Sequence, residues 1–178
     1  MTQIVAQRLL ADDATVGRWL LDSRATTVSL TQKTMWGMVT VECAFTQASG
    51  EGRIDPGGVV TGTLKIAAAS IDSKHKKRDQ HLRSADFFDV KQFPDIIVEV
   101  DSAAAVGSSL QLQAHITVKG VRKPVELVAT VIESRVDAIV VEVEATIDRR
   151  RFRMSWNRMG MIKGLATIST RATFRRAN

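Results

Sequence analysis

The chain is poor in aromatic residues and in cysteine, and it has no long apolar run. Its 178 residues include six phenylalanines, three tryptophans, no tyrosine and one cysteine. The single cysteine, Cys43, excludes an internal disulfide and any zinc site built from several cysteines. No run approaches the roughly 20 apolar residues that a membrane-spanning helix needs. The N-terminal residues lack a basic segment followed by an apolar stretch, because Asp12 and Asp13 interrupt them, so we expect a cytoplasmic protein.

Basic residues are plentiful and outnumber acidic ones by 25 to 19, which gives a net charge of +6 and a pI near 9.9. This balance favours anionic partners such as an anionic membrane surface, a phosphate-bearing ligand or nucleic acid. Two clusters concentrate the charge, at Lys74–Arg78 and at Asp148–Arg153. The second cluster is close in sequence to Trp156 and several methionines, so it could touch an anionic membrane surface or could simply be solvated.

The same basic clusters leave open an alternative function, a barrel whose surface binds an acidic partner or nucleic acid. Nucleic acid is not favoured, because the aromatic residues are not interleaved along a strand as base-stacking platforms would be. The sequence leaves homodimerisation open.

Alternation of apolar and polar residues with a period of two dominates the chain and predicts strands with one buried face. In "SLQLQAHITVKG", Leu112 and Ile116 share the apolar face, whereas Gln111 and Gln113 share the opposite one. Turn signals rich in glycine and proline separate such runs, namely "ASGEG", "DPGG", "AVGSS" and "KGVRKP". The predicted strands lie at about 18–21, 26–30, 39–45, 60–68, 96–101, 110–118, 125–132, 139–147 and 165–174.

These patterns predict an all-β fold, a single antiparallel barrel of about eight or nine strands. A barrel of about eight strands is wide enough to hold one small or slender ligand. Its apolar faces are our candidates for the wall of a ligand cavity. Their predicted ligand-binding members are Val39, Val41, Leu64, Ile66, Leu112, Ile116, Val141 and Val143.

Two segments are predicted to interrupt this pattern. Residues 1–16 read as an N-terminal arm or short helix before a barrel domain over 17–178. In the other segment, Ser73 is predicted to cap a helix over 74–84, with Asp79 and Arg83 as an ion pair on its surface. Phe87, Phe88 and Phe93 follow in an aromatic loop, and we expect this insert near residues 74–93 to cover an end of the barrel.

Four motifs give the chain a resemblance to a known family. They are the opening "GRWLLDSRATTVSL", the run "RDQHLRSADFFDVKQFP", the hairpin "LQAHITVKGVRKPVEL" and the late "IDRRRF". Together they resemble the YceI-like family of polyisoprenoid-binding, lipocalin-like barrels over about residues 17–175. The chain departs from the family pattern at Arg153, where a glycine is usual, and in the basic, methionine-rich "RMSWNRMGMIKG".

The resemblance implies an elongated barrel around an apolar channel. Its ligand would be a polyisoprenoid, an isoprenoid quinone or a similar long-chain amphiphile, bound for storage or transport without catalysis, and no cofactor is expected. Leu82, Phe87, Phe88 and Phe93 are expected to seal or line one end of the barrel, unless they are ordinary core. Arg78, His81 and Arg83 are predicted to contact a polar head group at that end. The alternative is that they form local ion pairs with Asp79 and Asp86.

Two further readings of the same segment carry less weight. His75, His81 and Asp79 could be imagined around a metal ion, but six residues separate the two histidines and place them on different helical faces. Ser84 and His81 near Asp79 invite a hydrolase triad, but no strand–turn–helix elbow frames the serine. We therefore predict no metal site and no catalytic residues.

Overall fold

Antiparallel strands form most of the computed structural model, which describes residues 3–178. Two α-helices accompany them, α1 at Gln3–Ala11 and α2 at Lys76–Arg83. No helix within the described residues is long and apolar enough to cross a membrane. The strands are β1 (Gly17–Leu21), β2 (Thr27–Thr34), β3 (Val39–Phe45), β4 (Ala48–Asp55), β5 (Val59–Ala67), β6 (Ile71–Asp72), β7 (Asp95–Val106), β8 (Ser109–Val118), β9 (Val121–Ser134), β10 (Ala138–Asp148) and β11 (Leu165–Arg176).

The sheet closes because β1 pairs on both sides. Trp19 lies opposite Gly52 of β4 and also opposite Arg176 of β11. The closed ring therefore contains eight strands, β1, β4, β5 and β7 to β11, all antiparallel. Closure satisfies the main-chain hydrogen bonds that free edges would leave exposed. The predicted lipocalin-like barrel is confirmed.

Three strands lengthen this ring on one side. β2 pairs with residues 166–171 of β11, the part that β1 leaves free. β3 pairs with β2, and the short β6 pairs with β3. β2 thus continues the line of β1 after the turn at Ser23–Ala25, and β3 runs on into β4. The barrel is consequently longer on this side than the ring of eight strands alone.

One predicted turn is part of a strand. The "ASGEG" segment, residues 48–52, opens β4 instead of connecting two strands. Gly50 and Gly52 alternate with the exposed Ser49 and Glu51, so the polar residues face solvent and the glycines face the interior. Glycine disfavours strands only weakly, and pairing with β5 on one side and partly with β1 on the other overrides that preference.

Helix α1 covers one end of the barrel, which we call the floor. Its Ala6 and Leu9 are buried against Trp19 and Ile54 in one of two core clusters. The Thr15 hydroxyl donates to the Leu9 carbonyl at 2.6 Å, and the Trp19 indole donates to the Thr15 carbonyl at 2.9 Å. The N-terminal segment is thus helical over residues 3–11. Residues 1–2 lie outside the described residues, and the proposed division at residue 16 stays a prediction.

Helix α2 and the aromatic loop after it cover the opposite end. The helix begins at Lys76, two residues later than predicted, and its N-cap is His75, whose Nδ1 accepts from the Arg78 amide at 3.2 Å. The predicted cap, Ser73, is buried and instead bonds to Asp79. The predicted ion pair between Asp79 and Arg83 is wrong, because Asp79 turns inward while Arg83 donates to main-chain carbonyls.

Candidate ligand-binding cavity

A cavity of about 450 Å³ lies inside the barrel, bounded by the core clusters at its two ends. This volume is within the roughly 300–1,000 Å³ of typical small-molecule sites. Every strand of the ring contributes residues to its wall, and Leu9 of α1 contributes to its floor. Of the predicted barrel residues, those that line it are Val41, Leu64, Ile66, Leu112, Ile116, Val141 and Val143.

Val39 is the exception among the predicted wall residues. It opens β3 at the barrel's outer margin, has 45% of its surface exposed and does not line the cavity. Alternation along β3 assigned it to the same face as Val41 and Cys43, and the strand does keep that alternation. The cavity simply ends before the strand does, which a period-two pattern cannot reveal.

Bare main chain forms one patch of the cavity wall. Gly52 of β4 lies opposite Gly62 of β5, and both line the cavity. Their strand neighbours Glu51 and Arg53 expose their side chains and pair outward, with Arg18 and Asp55 respectively. A methyl group added at Gly52 would meet nothing closer than the Thr61 carbonyl oxygen at 3.8 Å. The two glycines therefore widen the cavity beside Trp19, near the floor.

Several polar residues of the cavity wall lie at the end opposite the floor, which we call the mouth. Gln32 and Thr34 come from β2, and Arg78 and His81 from α2. Trp156, in the segment between β10 and β11, completes this group. An amphiphile with a buried tail would place its polar head at this end.

Arg78 is held by a small buried network at the mouth. Asp79 is buried and accepts hydrogen bonds from both the amide and the hydroxyl of Ser73. Arg78 donates through Nε to the Ser73 hydroxyl at 2.8 Å and through one terminal nitrogen to the Ser73 carbonyl at 2.7 Å. Because a second terminal nitrogen is not used in these bonds, Arg78 retains donor capacity toward the cavity.

His81 lies in an aromatic cage at the mouth. Its ring stands edge-on to Trp156 at a centroid distance of 4.4 Å and to Phe87 at 5.1 Å. Its Nε2 lies 2.8 Å from a carboxylate oxygen of Asp86. His81 thus makes the predicted local contact with Asp86, and its ring also lines the cavity.

Leu82, Phe87 and Phe88 line the cavity just inside the mouth. Phe87 and Phe88 are buried, and Phe88 stacks edge-to-face on Phe45 with 5.8 Å between the ring centroids. Phe87 and Phe88 therefore belong both to the buried core and to the cavity lining, so the two alternatives for them do not exclude each other.

Two predicted residues of the segment lie away from the cavity. The Arg83 guanidinium donates to the carbonyls of Ala69 and Ile71, both at 2.9 Å, and fastens α2 to the preceding chain. Phe93 packs against Gly120 of the β8–β9 turn, where an added Cβ would lie 2.6 Å from its ring. Neither residue lines the cavity, so the prediction that both contribute there is not supported by their positions.

Sequence reasoning missed several residues that the fold brings to the cavity. Arg149 is buried, and its guanidinium donates to the carbonyls of Met154, of Trp156 at 3.0 Å and of Lys163 at 3.2 Å. Burial lowers the pKa of this guanidinium. Arg149 thereby folds residues 149–163 over the mouth and places Phe152 in the cavity wall. The "IDRRRF" motif marked this region but did not say which arginine turns inward.

Cys43 also lines the cavity, on the buried face of β3. Burial raises the pKa of its thiol to about 11, so the group is a neutral, apolar part of the wall at physiological pH. The alternation along β3 placed Cys43 on the same face as Val41, but Cys43 was not named among the predicted ligand-binding residues.

The residues of the imagined triad make other contacts. The Ser84 hydroxyl donates to the main-chain carbonyl of His81 at 2.6 Å, and Asp79 is engaged by Ser73. Among the described residues, no group of three or more histidine, cysteine, aspartate or glutamate side chains has the geometry to hold a metal ion.

A closed eight-stranded barrel with an apolar interior and a polar mouth defines a lipocalin-like fold of the kind that encloses a small molecule. The model of the YceI-like domain family matches residues 19–174, and the chain belongs to this family.

Curated relatives match over a shorter stretch. Protein YceI of Salmonella arizonae is 40% identical over 66 residues, which are 37% of this chain and 35% of that protein. The match thus spans about a third of the relative's length.

Solved structures share the fold at low sequence identity. Burkholderia cenocepacia BcnA has a TM-score of 0.78 at 23% identity, covering 86% of this chain and 98% of its own. A polyisoprenoid binding domain from Saccharophagus degradans, implicated in plant cell wall breakdown, has a TM-score of 0.74 at 16% identity, with 89% and 98% covered. The Campylobacter jejuni YCEI protein has a TM-score of 0.70 at 19% identity, with 79% and 88% covered.

Proposed function

We propose that this protein binds one polyisoprenoid, isoprenoid quinone or similar long-chain amphiphile and stores or carries it without chemical change. The observation that carries the proposal is the apolar cavity inside the closed barrel. A family that includes a polyisoprenoid binding domain supports a lipid or isoprenoid ligand. The tail would lie between the walls of the barrel, and the head would lie at the mouth beside Arg78 and His81.

Burial of the tail can supply the affinity. Removing one methylene-sized group from water contributes about 0.8 kcal/mol, so three isoprene units contribute about 12 kcal/mol. Association costs at least about 4 kcal/mol in lost freedom of motion. The remainder of about 8 kcal/mol corresponds to a dissociation constant near 1 μM. A short prenyl chain therefore suffices, and the rigid, preformed barrel adds little ordering cost.

The decisive experiment combines extraction of the purified protein with a matched pair of variants on β8. Leu112 lines the cavity, and its neighbour Gln113 faces solvent and donates to Glu126 at 3.0 Å. Leu112→Lys places an unpaired charge in the cavity, at a cost of several kcal/mol, and should abolish binding of an added prenol. Gln113→Lys should leave binding unchanged. Native mass spectrometry and organic extraction of the wild-type protein should identify a bound lipid.

Stability must be measured for both lysine variants, because Leu112→Lys also strains the fold. Loss of binding with retained cooperative unfolding supports the cavity as the site. If Leu112→Lys binds prenol as the wild type does and is equally stable, the proposed cavity site is wrong.

The role of the mouth is tested by comparing Arg78→Met with Arg83→Met. Both remove a guanidinium from α2, but only Arg78 lines the cavity. In Arg78→Met, affinity for a prenyl phosphate should fall by about 1.5–3 kcal/mol more than affinity for a neutral prenol of equal length, as expected for a lost charge-assisted hydrogen bond. Arg83→Met should alter both affinities alike. Equal losses for both ligands in Arg78→Met would limit this arginine to its network with Ser73.

A further inference from the structure

The mouth carries an exposed apolar surface to which the proposed cavity function assigns no role, apart from Trp156. We call it the rim; its members are Met35, Trp36, Met38, Val39, Trp156, Met159 and Leu165. Met38 and Met159 are each 77% exposed and Trp36 is 53% exposed. Water-facing methionine and tryptophan in this number are unusual on a monomer and mark an interaction surface.

Two segments distant in sequence form the rim as one surface. The amide of Trp36, in the β2–β3 turn, donates to the Met161 carbonyl at 3.1 Å. The amide of Lys163 donates to the Lys33 carbonyl, also at 3.1 Å, and the Gln32 side chain donates to the Lys163 carbonyl at 2.8 Å. Trp156 then joins this surface to His81 at the mouth.

The backbone holds these side chains outward at a cost. Met35, Trp36 and Met159 have φ of 50°, 55° and 54°, in the left-handed region that bulky residues rarely adopt. Such conformations cluster at sites of interaction and function.

The charge around the rim is of one sign. Residues 31–41 and 149–165 contain no aspartate and no glutamate, whereas they contain several lysines and arginines. Among the described residues, five exposed members of this set form no salt bridge, namely Lys33, Arg151, Arg153, Arg158 and Lys163. Unpaired cations beside exposed tryptophan and methionine complement a surface that is both anionic and apolar beneath, which is the make-up of an anionic lipid bilayer.

We propose that the rim docks the mouth of the barrel on an anionic phospholipid bilayer. Trp36, Met38 and Met159 enter the interfacial layer, and the unpaired basic side chains contact the lipid phosphates. Docking sets the cavity entrance against the lipid phase, so that an amphiphile can pass between bilayer and barrel without crossing water. Only this last purpose rests on the proposed function, because vesicle binding does not require a filled cavity.

Vesicle sedimentation tests the surface with a matched pair of variants. The wild type should bind phosphatidylcholine vesicles containing phosphatidylglycerol at least tenfold more tightly than pure phosphatidylcholine vesicles. Met38→Glu combined with Met159→Glu should weaken binding by more than tenfold. Val136→Glu is the control, because Val136 is 70% exposed at the floor end, and it should change binding by less than twofold. Lys163→Gln and Arg158→Gln should each weaken binding by about fivefold.

Trp36 supplies an independent readout in the same experiment. In Trp156→Phe, fluorescence on vesicle addition should shift to shorter wavelength and become quenchable by brominated lipid, since Trp19 is buried at the floor. Raising the salt from 0.1 M to 1 M shortens the screening length from about 10 Å to about 3 Å and should release most of the protein.

Several outcomes would overturn the proposal. One is unchanged vesicle binding by the double methionine variant, or equal binding to neutral and anionic vesicles. Another is a rim that binds single-stranded nucleic acid or a second copy of the chain but no vesicle. All variants lie at exposed positions and should therefore fold normally. Far-ultraviolet dichroism checks that they do. Lipid extraction from the purified protein tests the cavity separately, so failure of docking and failure of the proposed function are distinguishable.

Discussion

The two ends of the barrel are built in opposite ways. The floor is closed by α1 and the buried Trp19, and the strands near it carry arginines paired with carboxylates, as in Arg53–Asp55 at 2.6 Å and Arg175–Asp22 at 3.3 Å. The mouth carries several polar residues of the cavity wall, exposed tryptophan and methionine, and unpaired basic charge. Both ends contain a buried core cluster, but only the mouth also presents the polar groups and exposed apolar side chains on which the proposed ligand and membrane contacts depend.

The largest expected effect separates the two ends by stability. Trp19 is 2% exposed and donates its indole hydrogen to the Thr15 carbonyl, so Trp19→Ala should lower the free energy of unfolding by about 3–5 kcal/mol. Trp156→Ala should lower it by only about 1 kcal/mol, the contribution of its aromatic contacts. Urea unfolding followed by dichroism measures both. Similar losses at the two tryptophans would break the contrast between a structural floor and an adaptable mouth.

A smaller effect concerns which end sets the length of the ligand. Gly52→Leu should fill the cavity beside Trp19, and its Cβ would lie no closer than 3.8 Å to the neighbouring main chain. Each methylene group that it excludes should cost about 0.8 kcal/mol of affinity, so long prenols should weaken and short ones should not. Isothermal titration with a series of prenols checks this. Ser49→Leu, at an exposed position of β4 that does not line the cavity, is the control. Equal weakening of all chain lengths would place the tail elsewhere.

The smallest effect uses Cys43 as a reporter of access through the mouth. Because burial raises the pKa of its thiol to about 11, its thiolate is scarce at pH 8. Alkylation should therefore accelerate about tenfold for each pH unit up to about pH 11, whereas an ordinary thiol of pKa about 8.5 levels off near pH 9. The rate is followed by mass spectrometry, with prenol added to test protection. A rate that levels off near pH 9 would contradict the raised pKa of the thiol, and a rate indifferent to prenol would place Cys43 outside the ligand's path.

Much of the barrel wall was predictable because a strand has a period of two. Leu112, Ile116, Val141 and Val143 face the cavity as the alternation requires, and the closed barrel follows from many such strands without helical crossovers. β4 was not predictable in this way, since its inward residues include Gly50 and Gly52, which read as a turn. Only pairing with β5 and β1 makes that segment a strand.

The mouth was predictable as a region but not residue by residue. The "RDQHLRSADFF" run pointed to the correct segment, yet Arg78 lines the cavity while Arg83 binds main-chain carbonyls. Both arginines are on one short helix, and which of them faces the cavity depends on how α2 docks against β6 and the barrel. The cytoplasmic location, the division at residue 16 and the ligand-binding roles of individual residues stay predictions.

The order of side chains along the chain decided which faces are apolar, because alternation is a local property that survives any arrangement of the strands. It also carried the family motifs and the excess of positive charge. The tertiary structure decided where the cavity ends, which glycines widen it, and that residues 35–39 and 156–165 meet in one rim. The rim depends on contacts between segments more than a hundred residues apart, and strand register and closure place those segments together only in the folded barrel.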